Sequence, residues 1–194
     1  MYGAGGHAKV ILDILKSNHI AVLEIFDDNP DLTEFMGIPI SHSEVLSPVI
    51  VSIGNNKIRK IIVDKLKGVE YSPAVFAHSV IKSNYATIEE GTVVMQGAII
   101  QSSVKIGKHS IINTRASIDH DCVLQDYVHI APGVILCGNV QIGEGSFIGA
   151  GTTIMQGIRV GKWSVIGAGS VVLKDIPDHV TAVGSPCKII KQHI

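Results

Sequence analysis

Residues 86–175 decide the fold and read ATIEEG TVVMQG AIIQSS VKIGKH SIINTR ASIDHD CVLQDY VHIAPG VILCGN VQIGEG SFIGAG TTIMQG IRVGKW SVIGAG SVVLKD. The third residue of each of these fifteen six-residue units is aliphatic, and the first residue is small or β-branched. No insertion interrupts the phase between Ala86 and Asp175. A period of six that holds over so many units predicts a solenoid built from short strands and turns.

The chemistry of each unit predicts how the solenoid is packed. The aliphatic third residue is expected to point inward and to stack on its counterpart in the next coil. Many turns end in glycine or asparagine, such as Gly91, Gly133 and Asn139, which accept a positive φ at low cost. Three strands close one triangular coil, so fifteen units make five coils. At the usual strand spacing these coils stack to about 24 Å, and the ends need caps.

The composition agrees with a core of stacked isoleucine and valine, because 46% of the residues are hydrophobic and only 5% are aromatic. A net charge of −1 gives no indication of a nucleic-acid or anionic-membrane partner. The apolar runs are too short to span a bilayer, and no signal peptide is visible. Cys122, Cys137 and Cys187 form neither a metal-binding spacing nor a disulfide framework. We therefore expect a cytoplasmic protein without a metal ion.

Residues 1–76 do not follow the six-residue period. The sequence predicts that they form a Rossmann-like α/β domain, followed over 77–194 by an all-β parallel β-helix domain with a C-terminal cap. Residues 2–9 read YGAGGHAK and lead into an apolar pattern with helical spacing. Three further elements are expected, namely strands over 20–26 and 49–53 and a helix over about 57–67 with Ile58, Ile61, Ile62 and Leu66 turned inward.

The glycines of the first turn indicate a phosphate cradle. Gly3, Gly5 and Gly6 would let the backbone approach a pyrophosphate at a helix N-terminus. Carboxylates at the end of the next strand could accept hydrogen bonds from a sugar or a base. A tight turn beside a solvated acidic loop is the alternative. The domain is too short for a full dinucleotide fold, so a nucleotide sugar is more suitable. Its first strand should precede Tyr2, so either the sequence starts late or this strand is very short.

The combination of motifs is more specific than any one of them. GAGGH at 3–7, FDD at 26–28 and IGNNKIR at 53–59 precede the hexapeptide repeat. Over nearly the whole chain this resembles the acetyl-CoA-dependent acetyltransferases of bacterial nucleotide-activated amino sugars. Within this group the chain resembles the UDP-N-acetylbacillosamine N-acetyltransferase type, and the sialic acid O-acetyltransferases are relatives. The resemblance implies a left-handed β-helix, a homotrimer, an N-terminal domain that binds a UDP-amino-sugar, and acetyl-CoA as co-substrate.

The resemblance also implies site residues. Those expected to hold the nucleotide sugar are Gly5, Gly6, His7, Asp27, Asp28 and Gly54. Those expected along the acetyl-CoA groove are His129, Gly138, Ala150 and Ala168. Lys188 belongs to a tail, VGSPCK, that resembles the Gly-x-Pro-Ala-Lys ending of hexapeptide acyltransferases, with Cys187 in place of alanine. Lys188 would meet the CoA phosphates, or it would be a solvated residue of the cap.

Catalysis is expected in the unit ASIDHD. Acetyl transfer to an amine needs a base that takes a proton as nitrogen attacks the thioester, and a donor for the developing oxyanion. A histidine beside a carboxylate can be that base, because the carboxylate fixes the tautomer and raises the basicity. His120 followed by Asp121 fits, and the resemblance places the catalytic base at His120. The family more often has glutamate here, so Asp121 is one methylene shorter. A corner histidine held by neighbouring backbone is the alternative.

The sequence thus predicts an N-acetyltransferase that uses acetyl-CoA to modify the 4-amino group of a UDP-linked 4-amino-4,6-dideoxy sugar in bacterial glycan biosynthesis. Transfer would be direct, with Cys122 as a packing residue and not a nucleophile. One alternative is a sugar O-acetyltransferase of the sialic acid type. Another is a non-catalytic scaffold that binds a nucleotide sugar, although a scaffold has no need of the polar unit at 119–121. The choice of sugar, of nucleotide and of N- or O-acetylation stays open.

Overall fold

The N-terminal region of the computed structural model, which describes residues 1–193, is a small α/β unit. Tyr2 pairs in parallel with both Phe26 and Val51, so a very short first strand lies between two neighbours. The elements of this region are α1 (Gly6–Ser17), β1 (Ile25–Phe26), β2 (Glu34–Phe35), β3 (Ile38–Ser41) and α2 (Asn56–Lys65).

The strands of this unit are shorter than the sequence predicts. Only Ile25–Phe26 of the expected strand 20–26 is paired, and the expected strand 49–53 pairs through bridges at Val49 and Val51. The sequence did not predict β2 and β3, which form an antiparallel pair, and Ile40 of β3 lies beside Ile25. Short pairing segments explain why hydrophobic runs alone give poor strand boundaries here.

The rest of the chain is a triangular parallel β-helix with three faces. The first face contains β4 (Val75–Phe76), β7 (Val93–Val94), β10 (Ile111–Ile112), β13 (His129–Ile130), β16 (Phe147–Ile148) and β19 (Val165–Ile166). The second contains β5 (Ile81–Lys82), β8 (Ile99–Ile100), β11 (Ser117–Ile118), β14 (Ile135–Leu136), β17 (Thr153–Ile154) and β20 (Val171–Val172). The third contains β6 (Thr87–Ile88), β9 (Lys105–Ile106), β12 (Val123–Leu124), β15 (Gln141–Ile142) and β18 (Arg159–Val160).

The register confirms the repeat, because Ile111 pairs with Val93 on one side and with His129 on the other. Third-position residues such as Ile118 and Ile148 are fully buried along the axis. First-position residues also point inward, and their hydroxyls bond to corner carbonyls, as Ser146 Oγ does to the oxygen of Gly161 at 2.6 Å. The predicted fold class, an α/β region followed by a left-handed β-helix, is confirmed.

The β-helix carries the N-terminal region on its first face and ends in a hairpin. It begins at Val75, before the regular repeat, and α1 packs on its first face through Ile11 and Ile14. At the other end, β21 (Val180–Val183) continues the first face, and β22 (Lys188–Gln192) folds back antiparallel to it. This hairpin pairs the last strand of the first face, at the end where the sequence predicts a cap.

Candidate active site

The corner between the second and third faces holds His120 and Asp121. The imidazole Nδ1 and Asp121 Oδ2 are 2.8 Å apart, and both side chains are largely exposed. Asp121 occupies the sixth position of its unit with a φ of 63°, a left-handed conformation that aspartate tolerates better than most residues. The corner geometry therefore turns a short carboxylate back onto the ring of the preceding residue.

Two carboxylates set the charge state of this imidazole. The hydrogen bond that Asp121 accepts from the ring is the largest cause that raises the pKa of His120, and the charge of Asp119 adds to it. Asp119 Oδ1 also accepts the backbone N–H of His120 at 2.8 Å. Because Nδ1–H donates to Asp121, Nε2 carries the lone pair and is the nitrogen that can take a proton.

A second cluster lies under the N-terminal region, on the first face. His129 is 9% exposed, and its Nδ1 lies 3.2 Å from the carbonyl oxygen of Gly54 while its Nε2 lies 3.2 Å from Asn113 Nδ2. These partners assign the proton to Nδ1 and leave Nε2 as the acceptor. Burial, followed by the charge of Arg59, lowers the pKa of His129 to about 4. The imidazole is therefore neutral and both of its nitrogens are occupied.

His7 stands beside this ring in the first turn of α1. The centroids of the His7 and His129 rings are 6.2 Å apart, and burial lowers the pKa of His7 to about 4. His7 Nε2 is buried without a hydrogen-bond partner among the described residues. The adjacent Gly5 and Gly6 are exposed, and a Cβ at either position would meet no atom within 4 Å. The glycine loop is thus open to a ligand at the helix N-terminus.

The acidic pair at the end of β1 shapes this loop. Asp27 Oδ2 accepts the backbone N–H of Ala4 at 2.8 Å. Asp28 accepts the hydroxyl of Tyr2 at 2.7 Å and the ammonium of Lys65 at 3.0 Å, and the Tyr2 bond lowers its pKa. Both carboxylates therefore lie next to the glycine loop and already bind groups of the protein itself.

Sequence reasoning assigned no role to Arg59, although it holds the second cluster in place. Arg59 is 1% exposed, and its guanidinium donates to the carbonyls of Ile53, Gly54, His109 and Tyr127 and to Asn56 Oδ1. Burial lowers the pKa of Arg59 to about 9, so the group stays charged at neutral pH. The side chain joins the Gly54 loop to a corner of the β-helix.

The orientation of α2 explains why this residue was missed. Its buried residues are Asn56, Arg59 and Ile62, whereas Ile61 is 62% exposed and Ile58 is 47% exposed. The expectation that Ile58 and Ile61 face inward is therefore wrong. The polar bonds of Arg59 fix the helix in a rotation that hydrophobicity alone does not favour. The sequence offered one indication of the buried face of α2, which is the spacing of three residues between Asn56, Arg59 and Ile62.

The remaining predicted residues lie apart from one another. Gly138 follows His120 by one coil at the same corner, whereas Ala150 and Ala168 are exposed at the corner between the first and second faces. Lys188 is exposed at the start of β22. Within one chain the predicted residues thus form one group around His120 and one around His7 and His129, while Ala150, Ala168 and Lys188 belong to neither.

Cys122 is buried, its thiol bonds to the carbonyl of Cys137, and burial raises its pKa to about 11. Over residues 1–193 there is no group of three or more His, Cys, Asp or Glu side chains placed to hold a metal ion. Neither helix of that range has the length and apolar character needed to cross a bilayer.

Known proteins resemble both parts of the chain. Residues 1–66 match the PglD N-terminal domain family, and residues 121–156 and 139–174 match the bacterial transferase hexapeptide (six repeats) family. Among curated proteins, GDP-perosamine N-acetyltransferase of Escherichia coli O157:H7 is 33% identical over 109 residues, which are 55% of this chain and 49% of that protein. The chain thus matches about half the length of that relative.

Two solved structures cover almost the whole chain. PerB from Caulobacter crescentus, in complex with CoA and GDP-perosamine, has a TM-score of 0.91 and 34% identity, with 98% of this chain and 95% of that chain covered. The acetyltransferase domain of PglB from Neisseria gonorrhoeae, in complex with acetyl coenzyme A, has a TM-score of 0.88 and 34% identity, with 97% of each chain covered. Identity and coverage at this level show that the chain belongs to the hexapeptide-repeat nucleotide-sugar acetyltransferases.

Proposed function

We propose that this protein transfers the acetyl group of acetyl-CoA to the 4-amino group of a nucleotide-linked 4-amino-4,6-dideoxy sugar in bacterial glycan biosynthesis. The observation that carries the proposal is the pair of His120 and Asp121, an accessible imidazole held by a carboxylate at 2.8 Å. UDP is the nucleotide that the sequence resemblance favours. GDP is the second candidate, because the solved PerB complex contains GDP-perosamine.

The chemistry needs one base and no covalent enzyme intermediate. The amine nitrogen attacks the thioester carbonyl, and Nε2 of His120 takes the proton that nitrogen loses as the C–N bond forms. Asp121 stabilises the resulting imidazolium. When the C–S bond breaks, the CoA sulfur leaves as a thiolate and recovers the proton from the imidazolium. Cys122 takes no part, because a buried thiol with a raised pKa is a poor nucleophile.

The glycine loop would bind the diphosphate of the nucleotide. No side chain caps the backbone N–H groups at the start of α1, and a Cβ at Gly5 or Gly6 would meet no atom within 4 Å. Arg59 supplies a buried positive charge with no carboxylate among its partners, so an anion bound nearby would gain from it. Asp27, Asp28 and Gly54 border the same loop and would shape the pocket for the sugar or base.

Acetyl-CoA would lie along the β-helix. Ala150 and Ala168 are exposed small residues at one corner, and Lys188 is an exposed cation beyond the last coil. His129 presents no free nitrogen, so any contact with the thioester would pass through its ring edge or through rearrangement of the Gly54 loop. His129→Ala is expected to raise the KM for acetyl-CoA if the residue serves the donor. A loss of stability with an unchanged KM for acetyl-CoA would show that His129 serves only the contact between the N-terminal region and the β-helix.

We also propose a homotrimer with the active site between neighbouring β-helices. In one chain His120 lies at a corner that is separated from His129 by the second face, which exposes Ile81 and Ile135. Side-by-side packing would cover this apolar face and bring the corner of one chain to the first face of the next. Sedimentation is expected to show a trimer, and an active, stable monomer would contradict the arrangement.

Release of CoA measured with a panel of UDP-, GDP-, dTDP- and CMP-linked amino sugars tests the proposed activity. One of these acceptors is expected to give turnover, and NMR of its product should show an N-acetyl group. An O-acetyl product would favour the sugar O-acetyltransferase. His120→Ala is expected to lower kcat by about 10²–10⁴-fold while both substrates still bind. Binding of a nucleotide sugar without any CoA release would instead favour the non-catalytic scaffold.

A further inference from the structure

The ring of His120 rests on Gly138, one coil further along the same corner. A Cβ at position 138 would lie 2.6 Å from Cε1 and 2.7 Å from Nε2 of His120. Carbon atoms in contact are normally about 3.5–4.0 Å apart, so a methyl group there would displace the ring by about 1 Å. The three heavy atoms nearest to that position all belong to this ring.

Nothing in the backbone requires glycine at this position. The φ angle of Gly138 lies outside the left-handed region, unlike that of Gly157, which is 73°. Alanine would thus fit the main chain and collide only with a side chain. The space left by the missing side chain at residue 138 is therefore occupied by the imidazole of His120.

We propose that Gly138 is a positioning residue that seats the imidazole of His120 in its hydrogen bond to Asp121 and keeps Nε2 open to the acceptor amine. The inference rests on the proposed role of His120 as the base. Displacement of the ring by about 1 Å would stretch the 2.8 Å bond to Asp121 and move Nε2 off the line of proton transfer. The role differs from lining the pantetheine arm, which would act on acetyl-CoA binding.

Gly138→Ala tests this with two independent readings. In steady-state kinetics we expect kcat to fall about 10–100-fold with the KM for acetyl-CoA little changed. In an NMR titration of the ring Cε1–H, we expect the pKa of His120 to fall, because the bond that raises it is lost. Gln156→Ala, which truncates an exposed side chain at the same corner one coil beyond Gly138, is the control and should change neither value.

The titration separates the two hypotheses, because it needs no substrate. If Gly138→Ala lowers the pKa of His120 but the unmodified protein shows no acetyltransferase activity, the positioning role of Gly138 is supported and the proposed function is refuted. If Gly138→Ala leaves the pKa of His120 unchanged and only raises the KM for acetyl-CoA, the positioning role is overturned while the proposed function is unaffected. If Gly138→Ala fails to fold, the double variant with His120→Ala decides. Recovery of folding shows that the ring was the obstacle, and continued misfolding overturns the inference.

Discussion

Acidification is expected to unfold this protein well above the pH at which most carboxylates titrate. His7, His109 and His129 are buried, and in each case burial is the largest cause that lowers the pKa to about 4. Histidine in an unfolded chain titrates near about 6.5. Each group is therefore neutral in the folded protein while the unfolded chain takes up a proton. The stability is complete above about pH 6.5 and is lost as the pH falls towards 4.

The size of the effect follows from the two pKa values. At pH 5 a histidine with a folded pKa of about 4 and an unfolded pKa of about 6.5 costs about 2 kcal/mol of folding free energy. The three groups together would remove up to about 6 kcal/mol. Domains are usually stable by only about 5–15 kcal/mol, so the loss would bring the protein close to its midpoint.

Urea unfolding followed by circular dichroism at pH 7.5, 6.5, 5.5 and 5.0 measures this loss. His109→Gln should remove about one third of the pH dependence, since it deletes one of the three groups. His78→Gln is the matched control, because His78 is exposed and bonds only to the carbonyl of Ser17. A free energy of unfolding that stays constant within about 1 kcal/mol from pH 7.5 to 5.0 would refute the reasoning.

Three further predictions concern single side chains. Arg59→Met leaves four backbone carbonyls without a buried donor and should cost about 3–5 kcal/mol in urea unfolding. Lys60→Met, at a side chain that is 35% exposed, should cost less than about 1 kcal/mol, and equal costs would refute the prediction. Asp121→Asn removes the largest cause of the raised pKa of His120. In a pH profile of kcat/KM, the rising limb should therefore move to lower pH and the plateau should fall, and an unmoved limb would contradict this. Gly6→Val should raise the KM for the nucleotide sugar about tenfold or more. Tm should not fall, because a Cβ at position 6 would meet no atom within 4 Å. Equal effects on the KM values of both substrates would show that the loop has only a structural role.

Much of the β-helix and one corner of the site could be predicted from the sequence. A period of six places residues of successive coils in register, so the inward stacking of Ile118 and Ile148 follows from local order. The sixth position takes a positive φ whether it holds Gly91 or Asp121, because each coil turns its corners in the same way. Adjacency in the chain also brought His120 and Asp121 together without any long-range contact.

Contacts between distant segments decided the rest. The sequence determined that residue 59 is an arginine on a helix, but its burial depends on carbonyls from Ile53 and Tyr127, which only the folded chain brings together. In the same way the neutral state of His129 comes from its burial against the Gly54 loop. The repeat period determines which residues are neighbours one coil apart, but the contact between the N-terminal region and the β-helix follows no period. The charge states of the residues buried in that contact were therefore decided by the tertiary structure alone.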